Sequence, residues 1–327
     1  MKKKKKNQLN HTDDIVIKQE LLNKTLVAIS GGQDSLYLIN LIENIKNQTI
    51  TKKNRKKISY IYIDHQWRKD SYKQIIHIIN YIKSINGNIF IYQLNRKIVS
   101  EKLCRIYRYH IIFQHAIKYN YRLIITGHNK TDKVETFLHH FFHGYGIEGI
   151  TSLISNIKLN QNISLLRPLL KVNRENIYWT CKKYYLPIWS DTTNYTYHIY
   201  RNRIRYELIP YLKKYFHQNI ENNIYQVLTT HYNQNEYIKQ NTIKLYLTSK
   251  HKKYIALNYS KLNNQNFILQ FKTIQLFCIK NTNCNLQYHQ ILKIIINNKQ
   301  NIQQNYLRVK LKYCIFHINK NWIYLTL

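Results

Sequence analysis

The chain has 327 residues and a formal net charge of +35 at pH 7, from 51 Lys and Arg against 16 Asp and Glu. A surface this basic attracts polyanions, nucleic acid above all, although an AT-rich genome also inflates the lysine count. The five cysteines form no C-x-x-C pair and no apolar run reaches the ~20 residues that a bilayer requires, which argues against a disulfide scaffold, a zinc ribbon and a membrane span.

Strand-like and helix-like segments alternate over the first 145 residues. Runs rich in β-branched and aromatic residues predict strands at 26–29, 58–64, 88–94 and 122–126. Apolar periodicity predicts helices at 36–45, 71–85, 99–119 and 131–143. This alternation is typical of βαβ units, so the expected fold class is α/β, with a parallel sheet covered by helices on both faces.

The rest of the chain has weaker signals. They predict an extended piece at 165–170, a helix at 174–185, a helix from 203 to about 234 that breaks at Pro210, a helix near 287–298 and a hairpin from 306–318 and 322–327. We expect a disordered basic arm over residues 1–20, a catalytic domain over 21–220 and a smaller α+β region over 221–327.

A glycine-rich loop joins the first predicted strand to the first predicted helix. It has the sequence Ser30-Gly31-Gly32-Gln33-Asp34-Ser35. Two adjacent glycines and a helix N-terminus direct backbone N–H groups into one concavity, which suits a polyphosphate, and Asp34 could hold a magnesium ion beside it. The loop matches neither of the common nucleotide-binding motifs. The simpler interpretation is a turn in which Asp34 complements the helix dipole.

Two further strand ends carry polar residues toward the same predicted edge. Asp64 and His65 follow the second strand, and Gly127 and His128 follow the fourth. The helix after Gly127 begins with Asp132 and Glu135 on one face, where two carboxylates could bind magnesium or take a proton. Ordinary capping, with Asn129 as N-cap and Asp132 in the first turn, is the simpler interpretation.

Arginines recur in the region that follows. Arg167 begins an R-P-L-L run, D-T-T-N follows at 191–194, and Arg201, Arg203 and Arg205 lie within five positions. Forked guanidinium donors suit phosphate or carboxylate recognition. A solvated basic face is the alternative interpretation.

In this order, these motifs resemble those of the tRNA(Ile)-lysidine synthases, which are N-type ATP pyrophosphatases with a PP-loop. The resemblance covers about residues 20–215 and includes I-D-H-x-x-R at 63–68, R-x-x-R-Y at 105–109, G-H-x-x-x-D-x-x-E-T at 127–136 and R-N-x-I-R at 201–205. The family usually has histidine where Asn129 stands and glutamine where Lys133 stands.

The resemblance implies roles for particular residues. It implies ATP binding by Ser30, Gly31, Gly32, Gln33, Asp34, Ser35, Asp64, His65, Gly127 and His128. It implies catalytic roles for Asp34, Asp132 and Glu135, with Asp34 and Asp132 as Mg²⁺ ligands. It makes Arg105, Arg108, Arg167, Arg201 and Arg205 candidates for contacts with tRNA or phosphate, and it makes residues 221–327 the expected tRNA-binding region.

The implied reaction has two steps. ATP adenylates the C2 oxygen of the wobble cytidine in tRNA(Ile) with a CAU anticodon, and the ε-amine of free lysine then displaces AMP from C2. The resulting lysidine changes decoding from AUG to AUA. The implied partners are this tRNA and free L-lysine, without a membrane, and a homodimer is compatible with the sequence.

Composition also bears on where the protein works. The AT-rich codon preference and the lack of a transit or signal peptide pattern after Met1 predict the plastid stroma for a plastid-encoded chain, or a bacterial cytoplasm otherwise.

Three other functions remain open. A tRNA thiolase would need a catalytic cysteine pair or an iron–sulfur motif, a small-molecule amide synthetase fits the basic charge poorly, and a non-catalytic RNA-binding protein would have a decayed nucleotide site.

Overall fold

The computed structural model describes residues 24–49, 58–66, 71–94, 101–146, 149, 151, 153–189, 200–282, 286–300, 306–310, 315–319 and 321–326. The chain divides into two compact units, Met1–Leu228 and Thr229–Leu327, where the sequence predicts a boundary near residue 220. The predicted basic arm at 1–20 and the D-T-T-N motif at 191–194 lie outside the described residues.

Strands and helices alternate through the first part of unit one. The order is β1 (Thr25–Ile29), α1 (Gln33–Thr49), β2 (Ile58–Asp64), α2 (Ser71–Ser84), β3 (Asn88–Gln93), α3 (Glu101–Lys118), β4 (Leu123–Thr126) and α4 (Lys130–Phe142). The predicted α/β class is thereby confirmed. Helix α1 begins three residues earlier than predicted, directly behind the glycine turn.

A shorter set of elements completes this unit. They are β5 (Asn156–Lys158), β6 (Ser164–Leu166), a 3₁₀ turn (Pro168–Lys171), α5 (Arg174–Lys183), α6 (Tyr200–Arg203), a π-helical turn (Ile204–Leu208), α7 (Ile209–Tyr215) and the start of α8 (Ile220–Ser249). The extended piece predicted over 165–170 was only half right. Pro168 has no N–H for a strand ladder and instead begins the 3₁₀ turn.

The sheet of unit one has the strand order β3-β2-β1-β4-β6-β5. All neighbours are parallel except β5, which pairs antiparallel with β6. After β1 the chain adds strands on one side, and with β4 it returns to add strands on the other. Ligands of open α/β sheets bind at such a reversal, outside the carboxyl ends of the strands, so the crevice between β1 and β4 is the expected site.

The two faces of β1 bury different helices. Val27 and Ile29 pack in a cluster with residues of α1, α2 and α5, whereas Leu26 packs with Ile112 and Ala116 of α3. Alternating side chains on a buried parallel strand therefore enter two separate hydrophobic layers. The prediction of helices on both faces is confirmed.

The predicted helix break at Pro210 was wrong. The helical run from Tyr200 to Tyr215 continues through Pro210, because the π-helical turn just before it lets Ile209 donate to the Ile204 carbonyl. Proline then occupies the first turn of α7, where a missing N–H costs little. The chain leaves the helix only at Phe216 and re-enters one at Ile220.

Unit two is a small α+β unit, as predicted. After the last part of α8 come β7 (Ala256–Asn258), α9 (Tyr259–Asn263), α10 (Phe267–Thr282), α11 (Tyr288–Gln300), β8 (Tyr306–Lys310), β9 (Ile315–Asn319) and β10 (Trp322–Thr326). The four strands form an antiparallel sheet in the order β7-β10-β9-β8. No element is predicted from the sequence at β7 or α10.

Candidate active site

The glycine loop is held in a turn that only glycine accommodates. Gly31 has φ +81°, and a Cβ there would lie 2.6 Å from Ile78 Cδ1. The Ser30 N–H donates to Ser35 Oγ at 2.8 Å, and the two hydroxyls are 3.0 Å apart. From α2, Gln74 Nε2 donates to the Ser30 carbonyl at 3.1 Å. The loop is thus preorganised at the N-terminus of α1, where backbone dipoles favour an anion.

Asp34 lies in the first turn of α1 and faces two other elements. Its Oδ1 accepts a hydrogen bond from Asn129 Nδ2 at 3.0 Å. Arg174 Nη1, at the start of α5, lies 3.8 Å from Oδ2. Burial raises the pKa of Asp34, and the nearby charge of Asp132 adds to this rise, while Arg174 and the hydrogen bond from Asn129 oppose it. A carboxylate in this setting is poised for a cation.

Asn129 both caps α4 and links it to the glycine loop. Its Oδ1 accepts from the Asp132 N–H at 2.9 Å, and Asp132 Oδ2 accepts from the Asn129 N–H at 3.0 Å, which is a complete capping box. The simpler capping interpretation is therefore correct for Asn129 and Asp132. Because the Asn129 amide also reaches Asp34, capping does not exclude a place in the site.

Two arginines from the π-helical region bind the carboxylates of α4. Arg201 donates to Glu135 Oε2 at 2.7 Å and to Asp132 Oδ1 at 2.9 Å. Arg205 donates to both Glu135 oxygens and, at 3.1 Å, to Asp132 Oδ1. The Glu135 side chain is fully buried, whereas that of Asp132 keeps 11% of its exposure.

The pKa of Asp132 reflects this pairing. Burial alone would raise it, but the charges of Arg201, His128 and Arg205 and the hydrogen bond from the Asn129 N–H together lower it. Asp132 is therefore ionised at neutral pH, which makes it a strong hydrogen-bond acceptor and a weak base.

The two histidines of the site are neutral at physiological pH. Burial lowers the pKa of His128 to about 3, with Arg105, Arg167 and Arg201 acting in the same direction and Asp132 against them. Burial, with the charge of Arg108, lowers the pKa of His65 to about 4. His128 Nδ1 lies 3.0 Å from Thr126 Oγ1. Neutral imidazoles here can offer hydrogen bonds without adding positive charge.

The other residues predicted for the site occupy varied positions. Asp64 is buried and accepts from the Gln66 N–H at 2.9 Å, so it shapes the turn after β2. Arg108 is exposed and its Nη2 lies 3.2 Å from His65 Nε2. Arg105 lies over the Tyr109 ring at 6.0 Å. Arg167 is buried and donates to the Ile154 carbonyl at 2.7 Å.

Two residues at the site were missed by the sequence reasoning. Gln74 supports the glycine loop from α2, and Arg174 pairs with Asp34 from α5. Gln74 had no signal in the sequence. Arg174 had one, because a cation in the first turn of a helix opposes the helix dipole and calls for a compensating partner.

The donor set bears on the predicted magnesium ion. Within the described ranges, no three His, Cys, Asp or Glu side chains are grouped so that they could hold a metal ion. Both oxygens of Asp132 already accept hydrogen bonds, whereas Asp34 Oδ2 faces only a longer contact with Arg174. One carboxylate fits a magnesium ion that takes its other ligands from phosphate and water.

Two structural findings bear on the class of protein. The described cysteines Cys104, Cys181 and Cys278 are buried and are not in disulfides. In the part of the chain that the structure covers, no helix combines the length and apolar character needed to cross a bilayer.

Comparisons with known proteins agree with this geometry. A family model described as a PP-loop domain matches residues 2–212. The chain is 47% identical to the chloroplastic tRNA(Ile)-lysidine synthase of Gracilaria tenuistipitata var. liui over 303 residues, covering 92% of each chain. It is 33% identical to the chloroplastic tRNA(Ile)-lysidine synthase of Pyropia yezoensis, covering 91% of this chain and 88% of that one.

A bacterial relative and a solved structure extend the comparison. The tRNA(Ile)-lysidine synthase of Nostoc sp. is 36% identical over 198 residues, which cover 61% of this chain and 56% of that one. The U34-tRNA thiolase NcsA from Methanococcus maripaludis superposes with a TM-score of 0.51 at 14% identity, covering 66% of this chain and 79% of that chain. At that identity, the likeness concerns the fold alone.

Proposed function

Because this chain belongs to the tRNA(Ile)-lysidine synthase family of PP-loop proteins, we propose that it ligates free lysine to C2 of the wobble cytidine in tRNA(Ile) with a CAU anticodon. It is an ATP-dependent ligase acting on tRNA. The product pair is AMP and pyrophosphate, and the modified tRNA reads AUA in place of AUG. The bacterial and chloroplastic relatives share this name across most of the chain.

One observation of the structure supports this proposal above the others. The hydrogen bond from Asn129 to Asp34 joins the glycine loop after β1 to the N-terminus of α4 after β4. The phosphate-binding loop and the cluster of Asp132, Glu135 and two arginines therefore share the crevice at the topological switch. An enzyme that first adenylates a base and then admits an amine needs both at one place.

The adenylation step depends on the glycine loop. Its N–H groups and the α1 dipole bind the ATP phosphates, so the nucleotide is fixed while the cytidine C2 oxygen attacks the α-phosphorus and pyrophosphate leaves. Asp34 would hold Mg²⁺, which supplies charge neutralisation on the phosphates. The neutral His128 and His65 leave the crevice without extra positive charge that could trap the departing pyrophosphate.

The ligation step needs an unprotonated amine. The lysine side chain has a reference pKa of about 10.4, so the reacting species is the small fraction that has already lost one proton to solvent. Its ε-nitrogen attacks C2 as the C2–O bond to AMP breaks, and this nitrogen must then lose a second proton. We assign proton acceptance to Asp132, because its side chain keeps some exposure and its carboxylate is ionised. The lowered pKa makes it a weak base in the ground state. The proton becomes far more acidic as the new C–N bond forms, so a weak base suffices at that point.

Glu135 has a different part in this proposal. Its side chain is fully buried and both its oxygens accept hydrogen bonds from arginine. It therefore holds Arg201 and Arg205 against α4 and positions Asp132 between them. Arg105 and Arg108 on α3 remain our candidates for RNA phosphate, since Arg108 is exposed. In this proposal Arg167 has a structural role, because its buried guanidinium donates a hydrogen bond to the Ile154 carbonyl.

The setting of the reaction is part of the proposal. Two of the compared relatives are chloroplastic and one is bacterial, which supports a plastid stroma for a plastid-encoded chain. A homodimer remains our prediction for the assembly. The thiolase alternative is less well supported, because the described cysteines are buried and far apart in sequence.

One assay tests the function. The protein is incubated with ATP, Mg²⁺, labelled lysine and a CAU-anticodon tRNA(Ile), and the RNA is digested to nucleosides. We expect a labelled nucleoside that requires ATP and AMP release that requires lysine. Elongator tRNA(Met), which has the same anticodon bases, is the control substrate. AMP release without lysine, or no lysine on the RNA, would contradict the proposal.

A further inference from the structure

The C-terminal half of α4 ends in an aromatic patch that no step of the proposed reaction uses. The rings of His139 and His143 stack at 4.4 Å with an interplanar angle of 21°. The ring of Tyr200 meets both edge-on, at 6.0 Å and 5.8 Å. Tyr200 is 52% exposed and His143 lies on the surface. We call these three residues the ring platform.

The ring platform is continuous with the candidate active site. His139 and His143 follow Glu135 by four and eight residues, so His139 lies about one turn beyond Glu135 and His143, the C-cap, about two turns beyond it. At the helical rise, the two rings are about 6 and 12 Å along the axis from Glu135. Tyr200 directly precedes Arg201, which binds Asp132 and Glu135. A polymer that places one unit at Asp132 would therefore pass its next units over these rings.

The chemistry of the patch selects the class of ligand. Every nucleobase has a π-face, so flat, exposed rings bind unpaired bases with little regard to sequence. Residues 136–146 include no Asp or Glu, and the whole chain has a net charge of +35, so no carboxylate of this segment repels a polyanion. A wobble base that leaves its stack to react also leaves its neighbours in the loop without a stacking partner.

We propose that the ring platform stacks the unpaired anticodon-loop nucleotides that flank the wobble cytidine. This inference rests on the proposed function, since it takes the reacting base to lie at Asp132. The platform replaces the stacking that the loop loses when the cytidine is extruded. It thus binds RNA without taking part in either bond-forming step.

The experiment removes the rings and follows both affinity and stacking. His143→Ala, Tyr200→Ala and the double variant are compared with His143→Phe and Tyr200→Phe, which retain a ring. The ligand is an anticodon stem–loop RNA with 2-aminopurine next to the wobble cytidine. We expect each alanine to weaken binding about tenfold and to abolish the fluorescence quenching that stacking causes, while the phenylalanine variants stay near wild type.

Two controls separate this inference from its alternatives. Tyr185→Ala removes a tyrosine that is 93% exposed beyond the end of α5, and we expect it to leave affinity unchanged. If the alanine variants bind the RNA and quench its fluorescence like wild type while lysidine still forms, the stacking inference is contradicted and the proposed function is retained. If wild type itself neither binds nor modifies the RNA, the proposed function fails. A change of oligomeric state on ring removal would instead make the patch a self-association surface and overturn the inference.

Discussion

Asp34 is a carboxylate that the fold holds in an unfavourable electrostatic setting. It is partly buried beside Asp132, and burial raises its pKa, while the 3.8 Å contact with Arg174, the amide hydrogen bond from Asn129 and the charge of Arg205 compensate only in part. A residue that is destabilised in the free protein and stabilised by a cation is typical of a binding site. This unfavourable electrostatic setting therefore supports a functional role for Asp34 over the simpler role of complementing the α1 dipole.

Asp34→Asn separates these two roles. We expect pyrophosphate release to fall by roughly a hundredfold or more, because the neutral amide cannot hold the metal ion. The raised pKa means that the folded state disfavours the ionised form. The free energy of unfolding at pH 7 should therefore be no lower than in the wild type. Asn keeps an oxygen that can accept from Asn129.

The measurements for this variant are pyrophosphate release, tRNA affinity and thermal unfolding. Retained tRNA binding with lost pyrophosphate release would agree with a metal-binding role. Loss of tRNA binding together with a lower unfolding temperature would show that Asp34 is structural.

Helix α4 carries three features of the proposed site along its length. Its N-cap, Asn129, reaches the glycine loop, its first turns carry Asp132 and Glu135, and its C-terminal end carries His139 and, as the C-cap, His143 of the ring platform. Arg201 of α6 and Arg205 of the π-helical turn tie these two segments to α4 through the buried Glu135. Since a π turn widens the backbone locally, it is a common way to aim side chains at a site.

Glu135→Gln tests whether this tie is structural. The change leaves two guanidinium groups near one another with one carboxylate fewer, and breaking a buried ion pair costs about 3–5 kcal/mol. For a unit of this size we expect the unfolding temperature to fall by roughly 6–12 °C. Glu207→Gln is the matched control, because its pair with Arg203 is exposed and should contribute less than about 1 kcal/mol.

Thermal unfolding and lysidine formation are measured on both variants. Our assignment of Glu135 to positioning requires that Glu135→Gln loses stability. A variant that has the unfolding temperature of wild type but forms no lysidine would contradict this assignment and would indicate a catalytic role for Glu135.

At the scale of the whole molecule, charge is the dominant property. The net charge of +35 belongs to a chain of two units, and the sequence predicts that the C-terminal region, 221–327, binds tRNA. This tRNA-binding role stays a prediction, because the fold of this region, an antiparallel sheet with helices, does not test it. Codon preference and selection for RNA binding would give the same composition, but they would give a different salt dependence of the affinity for tRNA.

Salt dependence of tRNA affinity distinguishes these two origins of the charge. If the excess charge contacts RNA, six to ten phosphates should be neutralised, and affinity should fall by about 10³–10⁵-fold between 50 and 200 mM salt. An isolated anticodon stem–loop is the control ligand and should show a shallower slope, since it offers fewer phosphates. Equal and shallow slopes for both RNAs would mean that most of the charge reflects codon preference.

Elements with strong local patterns were predictable. Strand β2 matches its predicted bounds, and α2 and α4 match within one residue, because apolar period and turn residues are local properties. The interruption after α7 was not predictable. Pro210 is a helix breaker in isolation, and only the preceding π turn makes it acceptable.

The sequence by itself determined the family, the α/β class and the glycine loop. These depend on residues that are adjacent in the chain, and Gly31 in particular must adopt a positive φ. Only the tertiary structure decided what each carboxylate faces. Arg201 and Arg205 lie about seventy residues from Asp132 and Glu135, and Arg174 lies far from Asp34 in the chain, so no local pattern could pair them. The fold brings them together, because parallel strands end at one edge and the helices that follow converge there.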